Sequence, residues 1–306
     1  MDALDALISS QALPGAYRQM VDEVHRPAAE YIAARRHALG RPIVVGLCGS
    51  QGSGKSTMAS FLKTLLEAEG LKAAVLSLDD LYLGLSERER LGREVHPLLR
   101  TRGVPGTHDV AMGLDLFDLL TDGSAEVPMP RFNKAEDDRV PWKACPRILS
   151  PVDVIVFEGW CVGALPQADA DLNDPINALE REEDGDGFWR NYVNAKLKGD
   201  YSRLFGRIDV LVMLKAPDFG AVYGWRSLQE KKLADKVKNE GLTGTRIMGP
   251  QEIRRFLMFY QRLTEWILRE MPGRAEILIP LDEEHRLLGV EIRGHHGSHT
   301  SQPTSG

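Results

Sequence analysis

The chain has few cysteines, no basic excess and no long apolar run, and each shortage excludes something. Its 306 residues hold three cysteines, Cys48, Cys145 and Cys161. None sits in a CxxC pair, so neither a zinc framework nor a disulfide scaffold can be built, and the sparse count points to a reducing compartment. Thirty-eight basic residues face forty-four acids, for a net charge of −6. A general basic field for nucleic acid is therefore missing, although a local cationic pocket for phosphate is not excluded. No apolar run approaches the roughly 20 residues that span a bilayer. The amino terminus, MDALDALISS, has two aspartates and no basic region, so it does not read as a secretory signal. The expectation is a cytoplasmic protein with no nucleic-acid or membrane partner.

What is present is an ordinary globular composition, 43% hydrophobic and 27% charged, which can bury a full core. No internal repeat is visible. Residues 1–40 read as a helical extension. In it Met20, Val21, Val24, Ala28, Ala29, Ile32 and Ala33 recur at helical spacing, with a break expected at Pro27. Short apolar runs at 41–48, 73–78, 152–157, 208–214 and 275–279 predict buried parallel strands. Helical patterns fall at 56–69, 216–240 and 250–271. The strand–turn–helix–strand spacing is a βαβ unit with a right-handed crossover. The predicted fold class is α/β, with a central parallel sheet and helices on both faces.

Three segments stand outside this plan. Residues 79–151 form a long insertion rich in proline and glycine, read as functional because compact domains rarely carry such loops otherwise. Residues 180–187, EREEDGDG, read as a solvated acidic loop. The tail 294–306 is rich in Gly, Ser, Thr and His and is expected to be disordered. Its His295, His296 and His299 lack the carboxylate or thiol partners of a metal site. The whole reads as one elaborated domain, 41–293, with an extension and a tail.

Gly49-Ser50-Gln51-Gly52-Ser53-Gly54-Lys55-Ser56 matches GxxxxGK[ST] in full, between a buried strand and a helix. Glycines let backbone N–H groups turn inward around phosphate oxygens, and the helix N-terminus adds its dipole. Lys55 can reach the β- and γ-phosphates, and the Ser56 hydroxyl can ligate Mg²⁺. A dinucleotide fingerprint fails, because Thr57 stands where the third glycine belongs. A guanine-binding NKxD is also missing: Asn133-Lys134-Ala135-Glu136 ends in glutamate and precedes the third strand, so it reads as coincidence.

In open α/β sheets, ligands sit beyond the carboxyl ends of the strands. Strand two runs into Asp79-Asp80-Leu81-Tyr82. Asp79 is the first candidate to take a proton from an attacking hydroxyl, with Asp80 orienting it or capping a helix. Strand three ends in Phe157-Glu158-Gly159-Trp160, where Glu158 can hold Mg²⁺ through water or bind substrate. Phosphoryl transfer also needs positive charge, and Arg226 is the candidate lid arginine. In the insertion, RGVPGTHD (102–109) and MPRFNK (129–134) can offer cations and hydrogen bonds to a small polar substrate.

These ordered motifs, GSQGSGKS, SLDDLYL, RGVPGTHD, MPRFNK, VIVFEGW, the stretch from Trp225 to Glu230 and the ending ILIPLDEEH, carry a resemblance. Over about 41–282 the chain resembles the glycerate kinase-like branch of the phosphoribulokinase/uridine kinase/pantothenate kinase superfamily. The resemblance implies a three-layer P-loop NTPase fold and an ATP-dependent, Mg²⁺-dependent kinase of a small molecule. It places the catalytic base on Asp79, the metal and substrate acid on Glu158 and the lid arginine on Arg226, beside Lys55. The nucleotide loop is Gly49 to Thr57, with Ser56 on the metal. Asp80, Tyr82, Arg102, His108, Asp109 and Arg131 become substrate-side candidates. The implied acceptor is a small hydroxylated acid, D-glycerate giving 3-phosphoglycerate. The alternatives are another small alcohol, such as pantothenate, a nucleoside or a phosphoribulokinase-type sugar phosphate, or an ATP-binding regulator without catalysis. Arg88, Arg93, Arg100, Arg102, Arg131 and Arg139 all remain open as the carboxylate-binding arginine. The chain is expected to act as a monomer or homodimer.

Overall fold

The computed structural model describes residues 2–123, 125–240 and 247–293. His295, His296 and His299 lie outside the described residues. Five strands, β1 (Ile43–Gly49), β2 (Ala73–Ser77), β3 (Val154–Gly159), β4 (Val210–Lys215) and β5 (Ile277–Pro280), form a parallel sheet in the order β5-β4-β1-β3-β2. A short strand, β6 (Glu291–Ile292), adds antiparallel to β5. All five predicted runs became strands, with ends shifted by one or two residues.

Both faces of the sheet are buried, which is why its strands read as continuous apolar runs. Ile43, Val45 and Leu47 join one core, while Val44 and Cys48 join the other, as a two-residue period requires. Helices α1 (Ala3–Ser10), α2 (Arg26–Leu39) and α3 (Lys55–Ala68) supply the first core with Leu4, Ile32, Phe61 and Leu62, among others. The insertion holds α4 (Leu85–Glu94) and α5 (Val110–Asp122), and α6 (Ala178–Glu183), α7 (Phe188–Lys198) and α8 (Asp200–Phe205) follow β3. Phe117, Trp189 and Tyr201 from this group fill the second core. Fully burying a side chain such as Phe117 stabilises the fold by about 1.5–3 kcal/mol. Two long helices, α9 (Phe219–Glu240) and α10 (Pro250–Glu270), lie between β4 and β5.

The connections set the site. From β1 the chain crosses α3 to β2, passing over the position of β3, while β4 takes the other side of β1. Adjacent connections leaving in opposite directions open a crevice at the carboxyl end of β1. Register places Glu158 of β3 between Leu47 of β1 and Ser77 of β2.

Two expectations are corrected. Pro27 does not break the helix: Tyr17–Met20, Val21–His25 and Arg26–Leu39 run on from one another. The middle stretch is a wide π turn, in which Arg26 N–H reaches Val21 O, and Pro27 follows in the first turn of the next stretch, where a missing N–H is tolerated. Second, 180–187 is not a solvated acidic loop. Glu180 is fully buried against Arg262, with Nε at 2.8 Å and Nη2 at 2.6 Å. Asp184 is buried too: it pairs with Arg190 Nη1 at 2.8 Å and accepts from the Trp189 N–H. The insertion 79–151 is built from helices and two short antiparallel strand pairs, Glu126–Pro128 with Arg147–Leu149 and Phe132–Asn133 with Asp138–Arg139.

Candidate active site

The loop between β1 and α3 is built from backbone freedom. Gly52 and Gly54 hold φ of 81° and 86°, the left-handed region that other residues adopt at a cost. The hydroxyls of Ser50 and Ser53 are buried with no hydrogen-bond partner among the described residues. Orphaned polar groups of this kind carry a desolvation cost, which phosphate oxygens would remove. Trp225 at the start of α9 packs on Gly52, where a Cβ would lie 3.1 Å from the Trp225 Cβ. His285, in the segment after β5, meets the Trp225 ring at 4.9 Å and lies against Gly54.

Beside the loop, Ser56 Oγ donates to Glu158 Oε1 at 3.0 Å, and Lys55 Nζ lies 4.0 Å from Glu158 Oε2. Glu158 Oε2 is buried and makes no hydrogen bond to the described residues. A hydroxyl and an under-used carboxylate at the loop's end suit a hard cation that keeps most of its shell as water and phosphate, as Mg²⁺ does.

Strand β2 gives way to a single 3-10 turn, Leu78–Leu81, that carries Asp79. Tyr82 OH donates to Asp79 Oδ1 at 2.9 Å, and Lys134 Nζ donates to Oδ2 at 2.6 Å. Burial pushes the Asp79 carboxyl up, but Lys134 and Lys55 outweigh it and hold the pKa down at about 2. Asp79 is therefore a carboxylate at neutral pH.

Lys55, Asp79, Tyr82, Arg102, Lys134 and Arg226 face one cleft of about 600 Å³. Six basic side chains and two carboxylates line it among the described residues, a local reversal of the chain's net negative charge. Arg226 is steered into this wall by Gln229 Oε1 at 2.8 Å and by Glu230, and lies over the Phe256 ring at 5.5 Å.

Four substrate-side candidates are not in the cleft. Asp80 accepts from Phe132 N at 3.0 Å and Arg131 Nη1 at 3.2 Å, so both Asp80 and Arg131 tie the insertion to the sheet. Asp109 caps α5 through Met112 N at 3.0 Å and pairs with Arg139 at 3.1 Å. His108 is buried behind Tyr82, stacked on its ring at 4.5 Å, with Nδ1 2.6 Å from Tyr201 OH. It supports the tyrosine that holds Asp79 and does not reach the cleft. Lys134 is the converse case. The sequence offers it only within MPRFNK, as one of several cations for the substrate, and the structure bonds it to Asp79.

The buried histidines make a stability prediction. Burial holds His108 at about 3 and His25 at about 4, both neutral in the fold. Unfolded histidine titrates near 6.5, so below that pH the unfolded chain binds protons that the folded chain refuses. Stability should fall as pH drops from about 6.5 toward 4, by up to about 1.4 kcal/mol per pH unit for each group. Thermal unfolding from pH 7.5 to 5 should show the midpoint falling. An unchanged midpoint would contradict neutral burial.

Comparison with known proteins adds the family. A family profile described as methylmalonyl Co-A mutase-associated GTPase MeaB matches residues 19–82, the stretch that holds β1, the phosphate loop, α3 and β2. An uncharacterised kinase of Schizosaccharomyces pombe, mug58, is 36% identical over 210 residues, covering 65% of this chain and 73% of that one. The chloroplastic D-glycerate 3-kinase of Arabidopsis thaliana is 28% identical over 261 residues, 79% of this chain and 53% of that one. Among solved structures, a D-glycerate 3-kinase from Cryptococcus neoformans superposes with a TM-score of 0.68 at 23% identity, over 88% of this chain and 99% of that one, and shows the shared fold. With the phosphate loop, strand-end acids and cationic cleft in place, the chain belongs to the D-glycerate 3-kinase-like family of P-loop kinases and is an ATP-dependent kinase of a small molecule.

Proposed function

We propose that this kinase transfers the γ-phosphoryl group of MgATP to a hydroxyl of D-glycerate, giving 3-phosphoglycerate. The observation that carries the reading is the meeting of Asp79, Lys134, Lys55 and Arg226 in one cationic cleft at the end of β1. A named D-glycerate 3-kinase matching most of the chain supports the choice of acceptor.

The backbone of Gly49 to Thr57 cradles the phosphates, with Ser50 and Ser53 as added donors. Ser56 and Glu158 are the residues that would hold Mg²⁺, Glu158 through water. Magnesium, when bound, offsets the charge on the β- and γ-oxygens. Lys55 and Arg226 place fixed positive charge on the moving phosphoryl. The acceptor oxygen forms its bond to the γ-phosphorus as the bond to the β,γ-bridging oxygen breaks, and that oxygen leaves on ADP with the electron pair. The hydroxyl proton passes to Asp79. A carboxylate at about 2 is a weak base, so its work is to orient the hydroxyl early and accept the proton late, as a loose transition state allows. Lys134 and Tyr82 hold both carboxylate oxygens in place for this.

The test is ADP release with MgATP and a panel of D-glycerate, pantothenate and uridine. Glycerate should raise the rate well above that with water alone. A rate raised by pantothenate or uridine but not by glycerate overturns the acceptor.

A further inference from the structure

Several arginines of the insertion compete to be the group that recognises the acceptor, and their bonding separates them. Arg88 is buried and commits its donors to backbone: Nε to Leu83 O at 3.0 Å, Nη1 to Arg100 O at 2.9 Å and Nη2 to Asp137 O at 2.6 Å. Arg139 is held by Tyr82 O at 2.7 Å and by Asp109. Arg100 is mostly exposed and leans to Glu89 at 3.3 Å. Arg102 differs. Like Arg88 and Arg100 it lines the cleft, and like Arg88 it lies over the Phe132 ring, at 5.4 Å, but it is mostly uncommitted: Asp137 engages Nη1. Its Nε and Nη2 make no hydrogen bond to a described residue, so one two-donor edge is left to a ligand.

The backbone around Arg102 is fixed from every side. Arg88 holds the Arg100 carbonyl, Tyr260 OH donates to Arg102 O at 3.3 Å and Trp160 Nε1 donates to Gly103 O at 2.8 Å. Gly103 N donates to Thr107 Oγ1 at 3.0 Å. Gly103 has φ 141°, and a Cβ there would sit 2.1 Å from the Tyr260 hydroxyl oxygen, so only glycine lets the tyrosine come this close. Tyr82 and Tyr260 each feel the charges of both Asp79 and Arg102, which puts the two groups on the same part of the cleft. Anchoring the backbone that carries a side chain matters where misplacement by about 1 Å costs about 100-fold in rate.

We propose that Arg102 determines acceptor specificity: its free Nε–Nη2 edge takes the acceptor's anionic group in a two-point hydrogen bond while Asp79 addresses the hydroxyl. This deepens the reading above and rests on the acceptor being an anion. A carboxylate and a phosphate both fit that edge, and the experiment separates them.

The experiment measures ADP-release kinetics of wild type, Arg102→Gln and Arg102→Lys with D-glycerate, ribulose 5-phosphate and uncharged glycerol. Wild type should prefer an anion to glycerol. In Arg102→Gln, kcat/KM for that anion should fall by about 10²- to 10³-fold, mostly through KM, while KM for ATP changes by less than about two-fold and the glycerol rate falls far less than the anion's. Arg102→Lys should recover part of the loss, since charge returns without the fork. Dependence on glycerate assigns a carboxylate; dependence on ribulose 5-phosphate assigns a phosphate and sinks the glycerate reading while Arg102 keeps its role. A wild type that uses glycerate, with Arg102→Gln unchanged, does the reverse. A wild type that turns over glycerol as well as either anion, or neither anion at all, overturns the proposal. If Arg102→Gln melts early by circular dichroism, Arg102→Lys decides: a preference for anions equal to wild type counts against the two-point contact.

Discussion

Asp79→Asn should lower kcat with the preferred acceptor by about 10³-fold while the affinity for ATP stays within about two-fold of wild type. The asparagine keeps the size of the side chain and an oxygen for Tyr82 OH, so the geometry survives and the proton acceptor is lost. The nucleotide loop is not disturbed, because Asp79 lies on the turn after β2 and the loop follows β1. The ion pair that weakens is worth little to the fold, since Lys134 is 60% exposed and solvent screens it. ATP affinity by calorimetry, beside single-turnover rates, separates the two effects. If kcat and ATP affinity fell together, Asp79 would belong to the nucleotide side. If neither changed, the chain would behave as a nucleotide binder and not as an enzyme at this cleft.

Lys134→Met should show its largest effect in the pH profile. In the wild type Asp79 is held at about 2, so kcat/KM carries no acid limb from it between pH 5 and 8. Without Lys134, burial is opposed mainly by Lys55, and the Asp79 carboxyl moves up. Its basic form is then lost as pH falls through the new value, and an acid-side decline should enter the measurable range. At neutral pH the rate should also fall, by about 10²-fold, through the loss of a cation and a fixed carboxylate in the cleft. Lys134→Arg should restore the flat profile. A loss of equal size at every pH would mean that Lys134 acts only on the phosphoryl group and not through Asp79.

How much of this was legible depends on how local the cause is. The stretch from β1 through Ser56 declares itself, because an anion-binding loop needs glycines, lysine and hydroxyl at fixed offsets. Asp79 and Glu158 were legible because parallel strands deliver their carboxyl ends to one side. Glu180 and Asp184 were not, because what makes burial tolerable is an arginine elsewhere. Arg262 comes 82 residues after Glu180, and nothing in EREEDGDG announces it. His108, Asp80, Asp109 and Arg131 have the chemistry of ligand groups, and residue type alone cannot tell a group that touches substrate from one that braces the loop. Lys134 follows a two-residue strand, where no periodicity exists to read. Arg102 needed the structure most: six arginines were open, and it takes both their places around the cleft and their bonded partners to single one out.

The most direct measurement is phosphorus NMR of the reaction of full-length protein with MgATP and D-glycerate, read for wild type and Asp79→Asn. A phosphomonoester on the C3 oxygen of glycerate should grow as the γ-phosphorus resonance of ATP falls in equal amount, with Asp79→Asn slower by orders of magnitude. Inorganic phosphate growing in place of the ester, or an ester forming equally fast in both proteins, would contradict transfer to glycerate at Asp79.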